Sequence, residues 1–126
     1  MITAITHGVK VSVETFFQPD HSVNGAYVFA YRITIENKSA NTVQLQRRHW
    51  FIFDAIGIWR EVEGEGVVGE TPVIEPGGKH QYVSGCNLTT PMGKMKGTYL
   101  MERKDDGVLF EVTIPEFQLH APFLLN

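Results

Sequence analysis

Residues 26–37, "AYVFAYRITIEN", alternate over the longest run in the chain. Tyr27, Phe29, Tyr31, Ile33 and Ile35 share one face, and Arg32, Thr34 and Glu36 lie on the other. A period of two over this length is the pattern of a strand with one buried face. The same period runs through "GVKVSVETFF", residues 8–17, where Val9, Val11 and Val13 oppose Lys10, Ser12 and Glu14. Between them "QPDHSVNG" is rich in turn formers and predicts a loop. "NKSANT" then turns the chain toward "VQLQRRHWFIFD", residues 43–54.

That third segment breaks its own rule. Val43 and Leu45 set a face that would carry Arg47 and His49 into the core, after which Trp50, Phe51, Ile52 and Phe53 are all apolar. Either a bulge near Arg47–His49 shifts the period by one, or the second half is buried on both faces. Downstream, "DAIG" predicts a tight turn into "IWREVE". "KHQYVSG" predicts a strand and "TPMGK" a turn, and "GTYLMERK" and "VLFEVTIP" alternate on either side of "DDG". The total is seven or eight short strands. No window long enough for a typical helix has apolar residues at three- and four-residue spacing without Gly or Pro interrupting it. The expectation is all-β: a single domain over residues 1–126, built as an immunoglobulin- or fibronectin type III-like antiparallel β-sandwich. The apolar end "PEFQLHAPFLLN" is expected to dock on the domain or on a second copy of it.

Bulk properties narrow the function. The chain has 126 residues and a formal net charge of -3, which gives no sign of the basic face of a nucleic-acid binder. Its one cysteine, Cys86, excludes an internal disulfide framework and fits a reducing, cytoplasmic setting. No apolar run is long enough for a signal peptide or a membrane-spanning helix.

Gly64, Gly66 and Gly69 stand at the spacing G-x-G-x-x-G, which in a strand–turn–helix unit holds a pyrophosphate. Here "ETPVIEPGG" follows, and Pro72 and Pro76 leave no room for the helix whose N-terminus would do the holding. What remains open is a structural glycine connection, or an anion nest of backbone N–H groups assisted by Arg47 and Arg48.

Several segments in fixed order resemble the ApaG family, whose members also carry the name CorD: "RRHWFIFDAIG", "VEGEGVVGETPVIEPG", "YVSGCNLTTPMGKMKGTY" and "FEVTIPEFQL". The resemblance covers essentially the whole chain. It implies a small bacterial β-sandwich with no established enzyme activity, linked to cobalt and magnesium resistance. Similar domains appended to eukaryotic F-box and polymerase-associated proteins look like partner-binding modules. The family's glycine motif falls on Gly64, Gly66 and Gly69.

Catalytic chemistry is not visible. Cys86 has no basic neighbour in sequence and reads as a buried thiol. His7, His21, His49, His80 and His120 form no metal-ligand spacing, and Glu61, Glu63, Glu65, Glu70, Asp105 and Asp106 read as solvated carboxylates. No metal or cofactor is expected. Trp50 suits the centre of the core. Trp59, beside Arg60, is either an exposed partner anchor or a residue packed near an edge. Two functions follow. The first is a non-enzymatic module that binds another protein and forms a homodimer, expected to show an exposed aromatic patch. The alternative is a phosphate or nucleotide-polyphosphate binder, expected to show a concave site lined by the Gly64–Gly69 amides and one of Arg47, Arg48 or Lys79.

Overall fold

The structure, a computed structural model, describes residues 1–23 and 25–122. Nine strands run in chain order: β1 (Ile2–Thr6), β2 (Val9–Phe17), β3 (Tyr27–Asn37), β4 (Val43–Asp54), β5 (Trp59–Glu65), β6 (Val73–Ile74), β7 (Lys79–Leu88), β8 (Met92–Arg103) and β9 (Leu109–His120). A short 3-10 turn, Pro19–His21, lies inside the expected loop. One sheet has the order β1-β2-β3-β7; the other has β5-β4-β8-β9, with β6 pairing β4 beside β5. All named pairs are antiparallel. The fold is therefore an antiparallel β-sandwich of the immunoglobulin and fibronectin type III kind.

β3 alternates buried and half-buried along its whole length, as its sequence requires. Its inward side chains meet Val9, Val11 and Val13 of β2 in one core with Leu45, Trp50, Tyr99, Met101, Ile114, Phe117 and Leu119 of the facing sheet. Trp50 is at the centre, with its ring edge against Tyr31 at 5.4 Å and against Phe117 at 5.9 Å.

β1 has no counterpart in the sequence reading. It is an edge strand, largely exposed, and joins β2 through His7 and Gly8, both at positive φ (49° and 80°). Two such residues make the tight turn whose twist matches a hairpin. The "TPMGK" turn is shorter than expected, because β8 already starts at Met92. Residues 123–126, the end of the apolar tail, lie outside the described residues.

The irregular segment resolves as a bulge. The β4–β8 register shifts between Leu45 and Arg47, so Gln46 is the extra residue. Before it Val43 and Leu45 point inward; after it Trp50 and Ile52 do, and Arg48 takes the same phase. Arg47, His49, Phe51 and Phe53 are turned to the outer face. Burial on both faces is not what happens, since Phe51 and Phe53 remain half-exposed.

The two sides of the sandwich differ. Along β1, β2 and β9 it is shut, and the Thr113 N–H donates to Thr6 Oγ1 at 3.1 Å across the seam. Along β7 and β5 it is open, and an inter-sheet cleft of about 520 Å³ enters there.

Candidate functional site

The cleft lies between two edge strands. Its floor is apolar, made by Trp50, Ile52, Val62, Val67 and Met95, and its walls carry Arg48, Arg60, Tyr82, Ser84 and Cys86, with Glu65 the one carboxylate lining it. Arg48 is there because of the Gln46 bulge. Its Nη1 donates to the carbonyls of Glu65 (2.9 Å) and Gly66 (3.0 Å). At the other end Arg60 reaches across the opening, its Nη2 donating to the Asn87 carbonyl at 2.7 Å. Among the described residues no carboxylate lies within ion-pair distance of either guanidinium.

Hydroxyls and a thiol complete the walls. The hydroxyl of Tyr82 is bonded to that of Tyr99 deep in the cleft. Burial raises the Tyr82 and Tyr99 phenols above their ordinary range. Tyr31 is raised too, by burial, against the opposing hydrogen bond from Ser84. Burial pushes the Cys86 thiol up to about 11, with nearby Arg60 opposing it. A thiol held protonated is not a nucleophile at neutral pH, and no base is bonded to it.

The glycine triplet borders this cleft in an unexpected manner. Gly64 lies in β5 opposite Arg48, and a Cβ there would stand 3.0 Å from the guanidinium nitrogens. Its lack of a side chain makes the bed for Arg48. Gly66 has φ +63°, and a Cβ on it would collide with the Glu70 carbonyl oxygen. Gly69, at φ +77°, follows Val68 at φ 46° in a two-residue turn closed by Val67 and Glu70. The loop's amides are mostly occupied. The Gly66 N–H donates to Gln46, Val67 to Glu70, and Glu70 to Val67. The loop therefore offers carbonyls to Arg48 more than a ring of free N–H groups to an anion.

The outer face of the same sheet presents aromatics. Trp59 is 54% exposed. It stacks on Phe53 at 6.3 Å, and Phe51 lies 6.0 Å away. Lys94 and Lys96 hold their ammonium groups 5.4 and 5.8 Å from the Phe53 ring. Ile56 and Ile58, in the adjoining turn, are about as exposed as Trp59. Next along the face His49 stacks on Phe51 at 4.7 Å, with Nε2 2.5 Å from Glu61 and Nδ1 3.4 Å from Glu63. One ligand atom from each of these three residues falls within 4.8 Å of the others. The carboxylates sit on opposite sides of the ring, so an ion taken by one nitrogen would leave the second carboxylate to orient the imidazole.

The expected site residues are thus only partly brought together. Arg48 and Gly69 line the cleft, with Gly64 and Gly66 beneath or behind Arg48. Arg47 faces the opposite way, into a shallow depression with His49, Glu63 and Glu111. Lys79, at the start of β7, lines neither. No local motif marks Arg60, Ser84 and Tyr31, and only the packing of two sheets joins them. The same holds for the His49–Glu61–Glu63 group, whose members meet through the β4–β5 register.

Comparison with known proteins bears on identity. The ApaG domain family matches residues 18–103. The protein ApaG of Brucella anthropi is 52% identical over 124 residues, which is 97% of this chain and 95% of that one. The protein ApaG of Paramagnetospirillum magneticum is 49% identical over the same shares. The crystal structure of an ApaA protein from Bordetella pertussis superposes with a TM-score of 0.87 at 42% identity, covering 90% of this chain and 94% of that one.

Proposed function

The chain belongs to the ApaG domain family, and on that premise we propose that it is a non-enzymatic module that binds another protein in the cytoplasm. The observation that carries this reading is the exposed Trp59, set on Phe53 and Phe51 and flanked by Lys94, Lys96, Ile56 and Ile58. Large aromatics on a rigid sheet, ringed by cations, are the composition of an interface hot spot. A Trp already held on a strand has little side-chain freedom to lose, which lowers the ordering cost of binding. The link to cobalt and magnesium resistance then runs through the partner.

The test is affinity capture from a bacterial lysate with the wild-type protein, Trp59→Ser and His120→Ala. A protein retained by wild type and by the His120 variant, and lost from the Trp59 variant, supports the reading. Equal retention by all three contradicts it.

The second reading, phosphate or nucleotide-polyphosphate binding, is favoured by one observation, the two guanidiniums in the cleft without carboxylate partners. It relies on Arg48 and Arg60 rather than on the loop amides, which are mostly engaged. Titration with ATP, diadenosine tetraphosphate and pyrophosphate, with and without Mg²⁺, distinguishes it.

We also propose self-association as a homodimer. β1 is an edge strand carrying Ile2 and Ile5 in the open, at 42% and 63% exposure, and bare edges invite pairing. Light scattering that gives the monomer mass at micromolar concentration contradicts this.

A further inference from the structure

We propose that the cleft between β5 and β7 receives an extended acidic segment of a partner protein, which adds as a strand to the free edge of β7 with two carboxylates directed at Arg48 and Arg60. This extends the protein-binding reading to a second surface of the same strand, since Trp59 faces outward from β5 while Arg60 faces in.

Three observations carry it. The first is the unpaired charge. Arg48 has only carbonyl partners and Arg60 only the Asn87 carbonyl and the Cys86 Sγ at 3.6 Å, and a guanidinium offers five N–H donors in a fork shaped for a carboxylate. Arg48 is half-buried without a counter-ion, a cost that an arriving carboxylate offsets, and Arg60 is exposed and open to the second carboxylate.

The second is the free edge. β7 is the outermost strand of its sheet. Arg60 takes the Asn87 carbonyl on the open side, so by alternation the N–H and C=O groups of Val83 and Gly85 face the same way. Among the described residues no backbone hydrogen bond outside the strand ladders involves either of them. An added strand there would close the one open side of the sandwich, the familiar mode of β-augmentation.

The third is the spacing. Arg48 pairs with Gly64 and Arg60 with Ile52, so the two arginines stand four strand positions apart, roughly 13 Å at the rise of a β-strand. Between them on the inner face lies Val62. An extended peptide has the same four-residue repeat on one face. The matching pattern is acidic–x–apolar–x–acidic, the apolar side chain resting on Val62. The four-position offset of the two arginines matches the repeat of an extended backbone beside a free strand edge, which is why the peptide is favoured over the small anion.

The probe is a fluorescein-labelled peptide, Thr-Glu-Thr-Val-Thr-Glu-Thr, titrated with the full chain by fluorescence anisotropy at physiological salt. Saturable binding is expected. It should weaken at least tenfold with Arg60→Gln, and equally when both peptide glutamates are replaced by glutamine. Two further peptides, N-methylated at all odd or at all even positions, separate strand addition from simple charge pairing. One should bind as the parent does and the other should be lost. His120→Ala, on the far edge strand, should leave peptide affinity within twofold. No saturation at millimolar peptide, equal binding of both N-methylated peptides, or an Arg60→Gln variant that stays folded and binds normally would overturn the proposal. So would full competition by pyrophosphate or ATP with the same arginine dependence, which would assign the cleft to a small anion. Failure here leaves the Trp59 face standing, because that face is probed by a different variant.

Discussion

The Arg48 guanidinium occupies the space that a side chain on Gly64 would need: the two residues are register partners across β4 and β5, and a Cβ on Gly64 would stand 3.0 Å from both terminal nitrogens. A spacing that resembles a phosphate loop is here a seat for an arginine. The three glycines have three different reasons to be glycine, and substitution separates them.

Gly66→Ala should cost most, about 3 kcal/mol or more, because a Cβ meets the Glu70 carbonyl oxygen and the backbone holds φ +63°. Gly69→Ala meets open space at φ +77° and should cost only the left-handed penalty, about 1–2 kcal/mol. Gly64→Ala meets only the end of a flexible side chain. Its cost is whatever Arg48 loses, about 1 kcal/mol, and should vanish in an Arg48→Ala background. Urea unfolding of the three variants and the double mutant checks the order. Equal costs at all three positions would contradict it.

Val68 is a β-branched residue at φ 46° and is 62% exposed at the turn tip. Side chains branched at Cβ are the least suited to that region, and no burial offsets the strain. Val68→Asn is expected to stabilise by about 1 kcal/mol, a rise of about 3 °C or more in Tm. If thermal melting shows a loss instead, the Val68 side chain contributes contacts that outweigh its strain.

Alkali should unfold the protein through its cleft. Cys86 has its thiol raised from 9.0 to about 11 by burial, and Tyr82, Tyr99 and Tyr31 are raised for the same reason. Between the unfolded and folded values the native state binds more protons, so stability falls as pH rises. For Cys86 the contribution is complete below pH 9 and lost by about pH 11. The tyrosines add a further decline above pH 10. Cys86→Ala should remove the slope between pH 9 and 10, lessen it between pH 10 and 11, and leave the fall above that. A denaturation midpoint flat from pH 8 to 11 in the wild type would contradict this.

The sequence made some of this legible and hid the rest for identifiable reasons. β3 is readable because every second residue from Tyr27 to Ile35 is large and apolar, and the residues between them are small or polar apart from Val28. The Gln46 bulge is detectable as a broken period, although its position and its effect on Arg48 emerge only from pairing with β8. β1 escapes notice because an exposed edge strand has little reason to alternate, and His7-Gly8 is a less familiar turn than Asn-Gly. Trp50 and Cys86 are recognisably interior, whereas the exposure of Trp59 depends on which face of β5 is bare. The cleft is the least legible feature. Arg48, Arg60 and Ser84 come from three strands in two sheets, and nothing local records that the sandwich is left open on their side.

The binding face is tested most directly by a photo-crosslinking amino acid placed singly at Ile58, beside Trp59, and at His120 on the opposite edge strand, in the full chain expressed in living bacteria. A discrete adduct to another protein from position 58, reduced at least tenfold when Trp59→Ser is added and missing from position 120, is the expected result. Adducts of equal yield from both positions, or an adduct at position 58 indifferent to Trp59, would show that this face is not where a partner docks.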